Sequence, residues 1–337
     1  NQDLLRYSVA SAGNDNRRGV IEAPPAIMSI YVGDELEAVL SSIKDGKAYD
    51  NKSGSKLNIG VDVLPAIPKD STDRNRTSPF AFTGNRFEFR SVGSSLSISG
   101  PNTILNSILA NTLCDFADEL EKSKNFDEDL QALIKREITA HWKILFNGNG
   151  YTEDWVKEAE KRGLKNYRTT PDAIEHYLDK KNVDLFTRMQ IYTPAEMHSH
   201  YEIKLEKYCQ VLNIEVNTMI KMVNKDIIPA AMKYMNVLTD TVYKMSKLSI
   251  GSGSVTRKLL ELLIKLSDEL QKATEELSDK HAKTKEIKDL LTAAKSYAKD
   301  ILPAMAKVRA AADQIEEYLG EEYKPFPSYE DLLFSVQ

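Results

Sequence analysis

Residues Arg86-Phe87-Glu88-Phe89-Arg90 are the first in the chain whose types and spacing suggest chemistry. Their strict alternation predicts a strand. Side chains on a strand alternate faces, so Arg86, Glu88 and Arg90 share one face and Phe87 and Phe89 bury on the other. The two arginines stand about 13 Å apart at roughly 3.3 Å per residue. Such a face can hold a metal on the carboxylate and anions on either side. Phosphoryl transfer needs that pairing, being mostly positioning and neutralisation of charge. An exposed strand with cross-paired charges has the same pattern, and for an arbitrary R-x-E-x-R it is the commoner case.

Two more segments carry arginines in polar, loop-like text. Asp73-Arg74-Asn75-Arg76-Thr77-Ser78-Pro79 lies just upstream. Residues 13–25, GNDNRRGVIEAPP, place Arg17, Arg18 and Glu22 in a Gly-bounded loop closed by Ala-Pro-Pro. Polar loops of this kind serve as lids over sites, and equally as plain surface loops. Arg74 to Arg90 holds four arginines, and no lysine occurs between Lys69 and Lys122. Arg offers a planar fork of donors suited to carboxylate and phosphate that Lys cannot reproduce.

These segments sit in 337 residues, enough for two domains and a sizeable core. Composition is ordinary, 42% hydrophobic and 28% charged, with a formal net charge of -5. That balance argues against a nucleic-acid binder, which shows a basic face. No apolar run approaches the ~20 residues of a membrane span, and no signal-peptide core is present at the start. Cys114 and Cys209 lie far apart with no metal-finger spacing, and read as buried reduced thiols. His198 and His200 diverge on a helix and make a poor metal pair, while His141, His176 and His281 stand alone.

The first hundred residues are rich in Gly, Pro, Ser and Asn, with short β-type runs. From about Asn102 the text turns helical. Apolar residues at Ile104, Ile108, Leu109, Leu113, Phe116 and Leu120 predict an amphipathic helix over 103–120, and 127–146 predicts another. Thr152 caps a short helix that Gly163 stops. Thr170-Pro171 and Thr193-Pro194 each open a helix, the second running to about Leu248 with Pro229 kinking or dividing it. Ile250 to Ser254 reads as a helix–helix connection, since no GK[ST] ending follows. Leu259, Leu263, Leu266, Leu270, Ala273 and Leu277 form a bundle seam that Asp279 to Thr284 interrupts. A second helix, kinked at Pro303, returns through Val308, Ala312 and Ile315 to complete a hairpin.

GND-x-R…EAPPAI at 13–27, DRNRTSPFAFTGNRFEFR at 73–90 and VGSS at 92–95 resemble the glutamine synthetase family, its type III branch in particular. A looser likeness continues through 148–164 and the terminal hairpin. The resemblance implies an α+β fold. Residues 1–120 correspond to the C-terminal portion of an antiparallel-sheet catalytic domain, and 121–337 to a mostly helical C-terminal region. It implies an ATP-dependent ligase that phosphorylates the side-chain carboxylate of glutamate and lets ammonia displace the phosphate. Glu88 looks like a ligand of Mg2+ or Mn2+, and Arg86 like a nucleotide-phosphate contact. Arg90 looks like the arginine at the reacting carboxylate or phosphoryl group. Arg76 resembles the arginine that stabilises phosphoryl transfer and contacts the nucleotide. Arg17 resembles the grip on the substrate's carboxylate, and Glu22 the flap glutamate that helps deprotonate ammonium.

The chain departs from the family pattern at Asn16, Arg18, Ile21 and Ala81, where His, Leu, Asn and, in other branches, Arg are usual. The family's remaining metal ligands, its β-grasp domain and an acidic residue donated to a neighbouring subunit fall before position 1 in the resemblance. The expectation is therefore of an inactive piece of a longer cytoplasmic enzyme built as stacked hexameric rings. A glutamate–amine ligase of the same superfamily and a non-catalytic helical scaffold are the alternatives.

Overall fold

A computed structural model describes residues 1–15, 26–49, 77–251 and 253–334, and the backbone of the short pairs 56–57 and 67–68. The chain divides into two compact units, residues 1–204 and 205–337.

The first unit opens with two short helices, α1 (Gln2–Ser8) and α2 (Ala12–Asp15). Strand β1 (Ile30–Tyr31) leads into α3 (Gly33–Asp45), which stops at Gly46 in the left-handed conformation, φ 68°. Strands β2 (Lys56–Leu57) and β3 (Ile67–Pro68) pair antiparallel. Strands β4 (Phe80–Phe82) and β5 (Phe87–Phe89) form a hairpin whose turn needs Gly84 at φ 95°. β1 joins β4 in parallel, so this three-stranded sheet is mixed and not antiparallel as expected. Parallel strands need a long connection, and the chain between Tyr31 and Phe80 is long enough to supply one.

Helices α4 (Ser99–Leu120) and α5 (Phe126–His141) follow. The expected helix over 127–146 ends early. A 3-10 turn at Trp142–Ile144 releases the chain, and the Phe146 N–H donates to the Ile30 carbonyl at 3.0 Å, extending the β1 edge. On α4 the apolar stripe is only partly covered. Ile104 is buried, but Leu109 and Leu113 are more than half exposed.

Helix α6 (Glu153–Lys161) is capped by the Thr152 side chain, and the chain turns out of it at Gly163, φ 75°. Trp155 is 1% exposed and stacks on Phe146 at 3.7 Å, in a cluster with Ile27, Ala159 and Leu164. Helix α7 (Thr170–Ile174) is capped one residue earlier than the sequence suggested. Thr169 and Asp172 form a reciprocal capping box, which puts Pro171 in the first turn. After α8 (Lys180–Arg188), Thr193 and Glu196 make the same box at the start of α9 (Pro194–Met222).

The second unit is helical. A π-turn at Val223–Ile227 separates α9 from α10 (Ile228–Lys247). Another at Tyr297–Ile301 separates α12 (Leu290–Ser296) from α13 (Leu302–Tyr318). Each ends two residues before a proline, Pro229 or Pro303. Proline lacks an N–H and clashes with the carbonyl four residues back. That carbonyl falls in the π-turn both times, so the widened turn accommodates the proline and the helix continues instead of ending.

Between them, α11 (Ser254–Lys285) runs unbroken through the predicted interruption. Its buried stripe is Leu263, Leu266, Leu270, Thr274, Leu277, His281 and Thr284, with Thr274 in place of Ala273. The polar members are satisfied. Thr274 donates to the Leu270 carbonyl at 2.7 Å, His281 Nε2 meets Asn213 Oδ1 at 2.9 Å, and Thr284 meets Ser296 at 2.9 Å. The chain ends in a 3-10 turn at Glu321–Tyr323 and α14 (Tyr329–Phe334).

Candidate functional site

The β4–β5 hairpin carries the predicted face. Phe80, Ala81 and Phe82 register against Phe89, Glu88 and Phe87. Cross-strand partners share a face, so Glu88 lies beside Ala81, which is fully buried. On the opposite face Phe80 sits 5.6 Å from Phe87 and 5.9 Å from Phe89 by ring centroids. That aromatic face is less covered than expected, for Phe87 is 51% exposed. It lies at the turn end of the hairpin, where no third strand among the described residues reaches.

Arg86 Nε donates to Glu88 Oε1 at 3.1 Å, and Arg90 Nε donates to Oε2 at 3.2 Å. Each carboxylate oxygen thus faces one guanidinium. Partial burial acts to raise the Glu88 carboxyl, but the bonds from Arg90 and then Arg86 outweigh it and hold it below its ordinary value. The three residues step inward. The Arg86 side chain is 71% exposed, Glu88 34% and Arg90 12%. One anion flanked by two cations leaves a net positive strip, suited to an oxyanion with several oxygens.

A hard divalent ion such as Mg2+ needs six oxygen ligands in near-octahedral array. Glu88 supplies one carboxylate, both of whose oxygens are engaged by arginine. Among the described residues no three His, Cys, Asp or Glu side chains converge to hold a metal. The described residues therefore do not themselves make a metal centre.

Arg17, Glu22 and Arg76 lie outside the described residues. The described residues upstream of Arg17 end in Asn14 and Asp15, both held by hydrogen bonds. Asn14, 2% exposed, donates from Nδ2 to the Val9 carbonyl at 2.7 Å and to the Ser91 carbonyl at 3.1 Å. Ser91 directly follows Arg90. Asp15 accepts from Arg6 at 2.7 Å and from the Thr170 N–H. Burial pushes the Asp15 carboxyl above its ordinary value against the opposing pull of Arg6 and Thr170. Arg6, 0% exposed, also donates to the carbonyls of Tyr167 at 2.8 Å and Arg168 at 3.2 Å.

Sequence reasoning missed this network. Asp15 and Asn14 stood within a quoted motif without a role, and nothing near Arg6 announces partners about 160 residues away. The remaining candidates resolve plainly. His200 lies edge-on to Tyr192 at 4.8 Å, and His198 is exposed. Cys114 is exposed, not buried, because it lies on the uncovered side of α4. Cys209 is half-buried, and burial pushes its thiol up to about 11. No helix among the described residues is long and apolar enough to cross a membrane.

Comparison with known proteins agrees with this hairpin's signature. Residues 129–246 match the glutamine synthetase C-terminal domain. A glutamine synthetase of Butyrivibrio fibrisolvens is 39% identical over 99% of this chain and 48% of its own length. The type-3 glutamine synthetase of Dictyostelium discoideum is 35% identical over 98% of this chain and 46% of its own. A glutamine synthetase of Bacteroides fragilis is 34% identical over 99% and 48%. The chain spans about half the length of these curated relatives. Similarity to glutamine synthetases, a type-3 enzyme among them, thus runs from end to end of the chain, which carries a match to their C-terminal domain.

Proposed function

We propose that this chain is part of an ATP-dependent glutamate–ammonia ligase that makes glutamine through γ-glutamyl phosphate. The carrying observation is the Arg86–Glu88–Arg90 face, a carboxylate held between two guanidinium groups on a hairpin. In this reading a γ-carboxylate oxygen of glutamate attacks the γ-phosphorus of ATP and ADP leaves. Ammonia then attacks the acyl carbon, and phosphate departs with the bonding electrons.

Arg90, the most enclosed of the three, meets the charge that develops on the transferring group, and exposed Arg86 meets the nucleotide phosphates. Arg76 joins them in stabilising phosphoryl transfer, Arg17 grips the amino-acid carboxylate, and Glu22 takes a proton from ammonium. Glu88 is one ligand of the Mg2+ or Mn2+ that accompanies ATP. Its other ligands come from elsewhere in the complete protein, as a homo-oligomer in the cytoplasm. Residues 1–120 belong to the catalytic domain and 121–337 to the helical C-terminal region, a division that the family match over 129–246 supports.

Among the described residues Glu88 is the one carboxylate on this strand face, and in this reading the 337-residue chain alone is inactive. The test is formation of glutamine and ADP from glutamate, ATP, Mg2+ and ammonium, with methylamine as competing amine. The complete protein carrying this chain should turn over with ammonium, and the isolated chain should not. Activity of the isolated chain would overturn the claim of inactivity. Preference for methylamine would favour a glutamate–amine ligase.

A further inference from the structure

We infer that the helical C-terminal region positions the catalytic strand face, through a buried relay of hydrogen bonds running from Thr170 to the residue after Arg90. The inference rests on the proposed ligase reading and gives part of the C-terminal region a task in it.

The relay has two hydrogen-bonded links joined by the Asn14–Asp15 peptide. The backbone N–H of Thr170, at the start of α7, donates to Asp15. Arg6 closes the same link from the other side: its Nη2 donates to both Asp15 and the Arg168 carbonyl, and its Nε donates to the Tyr167 carbonyl. Asn14, next in the chain to Asp15, donates to the Ser91 carbonyl and ties down the end of β5 where Arg90 sits. The residues at the junctions are buried: Arg6 0%, Thr170 1%, Asn14 2% and Ser91 1% exposed.

A buried ion pair is weak evidence for stability, because desolvation offsets much of the attraction, whereas fixing one geometry among several is a well-attested use. Apolar packing alone would hold α1 against 167–170 without prescribing where the chain at Asn14 lies. A planar guanidinium aimed at two carbonyls and one carboxylate does prescribe it. Residues 167–170 lie within the stretch matching the family's C-terminal domain, while Arg90 lies outside it. The relay therefore joins the two regions at the reacting end of the strand face, where an error of about 1 Å can cost on the order of 100-fold in rate.

A second contact across the same junction supplies the control. Asp3, also on α1, accepts from Lys181 at 2.9 Å and Asn182 at 2.7 Å, and takes no part in the relay. The experiment measures kcat and KM for ATP and glutamate in the complete protein carrying Asp15→Asn, Asn14→Ala or Lys181→Ala. Folding of each is checked by circular dichroism and thermal melting. Asp15→Asn and Asn14→Ala should each lower kcat at least tenfold and leave KM for ATP within twofold. Lys181→Ala should stay within twofold on all three constants. If Asp15→Asn fails to fold, Asn14→Ala, which removes no charge, decides alone. Unchanged kcat in Asn14→Ala would overturn the inference, as would a fall in Lys181→Ala equal to that in the relay variants. A wild-type protein without ligase activity would sink the proposed function itself, and this inference with it.

Discussion

Arg6→Met is the substitution whose cost follows most directly from the structure. Arg6 is fully buried, and its guanidinium serves the Asp15 carboxylate and two backbone carbonyls. Met fills much of the stem's volume but donates nothing. The change strands the Asp15 carboxylate, whose side chain is 6% exposed, with the Thr170 N–H as its remaining support from across the junction. Removing one partner of a buried pair costs about 3–5 kcal/mol. The loss depends on pH, and its sign is fixed. Burial already raises the folded-state value for Asp15 above its ordinary 3.8. A carboxyl raised on folding binds more protons folded than unfolded, so its contribution to stability declines as pH rises from 3.8 through the raised value. Without Arg6 the raised value climbs further, and the decline extends over a wider range. Urea unfolding followed by circular dichroism should give a larger ΔΔG at pH 8 than at pH 5. The double variant Arg6→Met/Asp15→Leu should recover most of the loss. A ΔΔG under about 1 kcal/mol, or one equal at both pH values, would refute the assignment of a buried charge pair.

Three further outcomes follow from burial. Trp155→Ala empties a site 1% exposed and unstacks Phe146, and should cost about 3–5 kcal/mol in the same unfolding assay. Ellman's reagent at pH 8 should modify Cys114 well before Cys209, whose thiol is half-buried and raised to about 11; the reverse order would contradict the exposure of α4. Burial, and then nearby Lys285, lower His281 below its ordinary 6.5, so the folded state prefers the neutral ring. Stability should therefore fall as pH drops below about 6.5, and His281→Gln should flatten that slope in urea titrations at pH 5 to 7.

Much of this was legible in the sequence because local signals decided it. Thr152, Gly163 and Thr193-Pro194 marked helix ends through short-range signals, and Pro229 and Pro303 marked interruptions through their missing N–H. The Arg86–Arg90 alternation gave a strand with its charges on one face. Errors arose where distant segments decided. Phe146 left its helix to pair with Ile30, and Thr274, His281 and Thr284 entered the α11 stripe because Asn213 and Ser296 satisfy two of them from other helices. No amphipathic pattern separates a satisfied buried His from a solvated one. The site was legible as a list of residues, but its support was not. Beyond their local contacts, Arg6, Asn14 and Asp15 reach distant partners across 77 to 162 positions of sequence.

The central claim is that the strand face at Glu88 serves ATP-dependent ligation. It is tested most directly by Glu88→Gln in the complete protein, which keeps the side chain's shape and removes its charge. Glutamine formation at saturating ATP, Mg2+, glutamate and ammonium should fall by about 100-fold or more, with unchanged melting temperature. Activity within threefold of wild type would contradict the account.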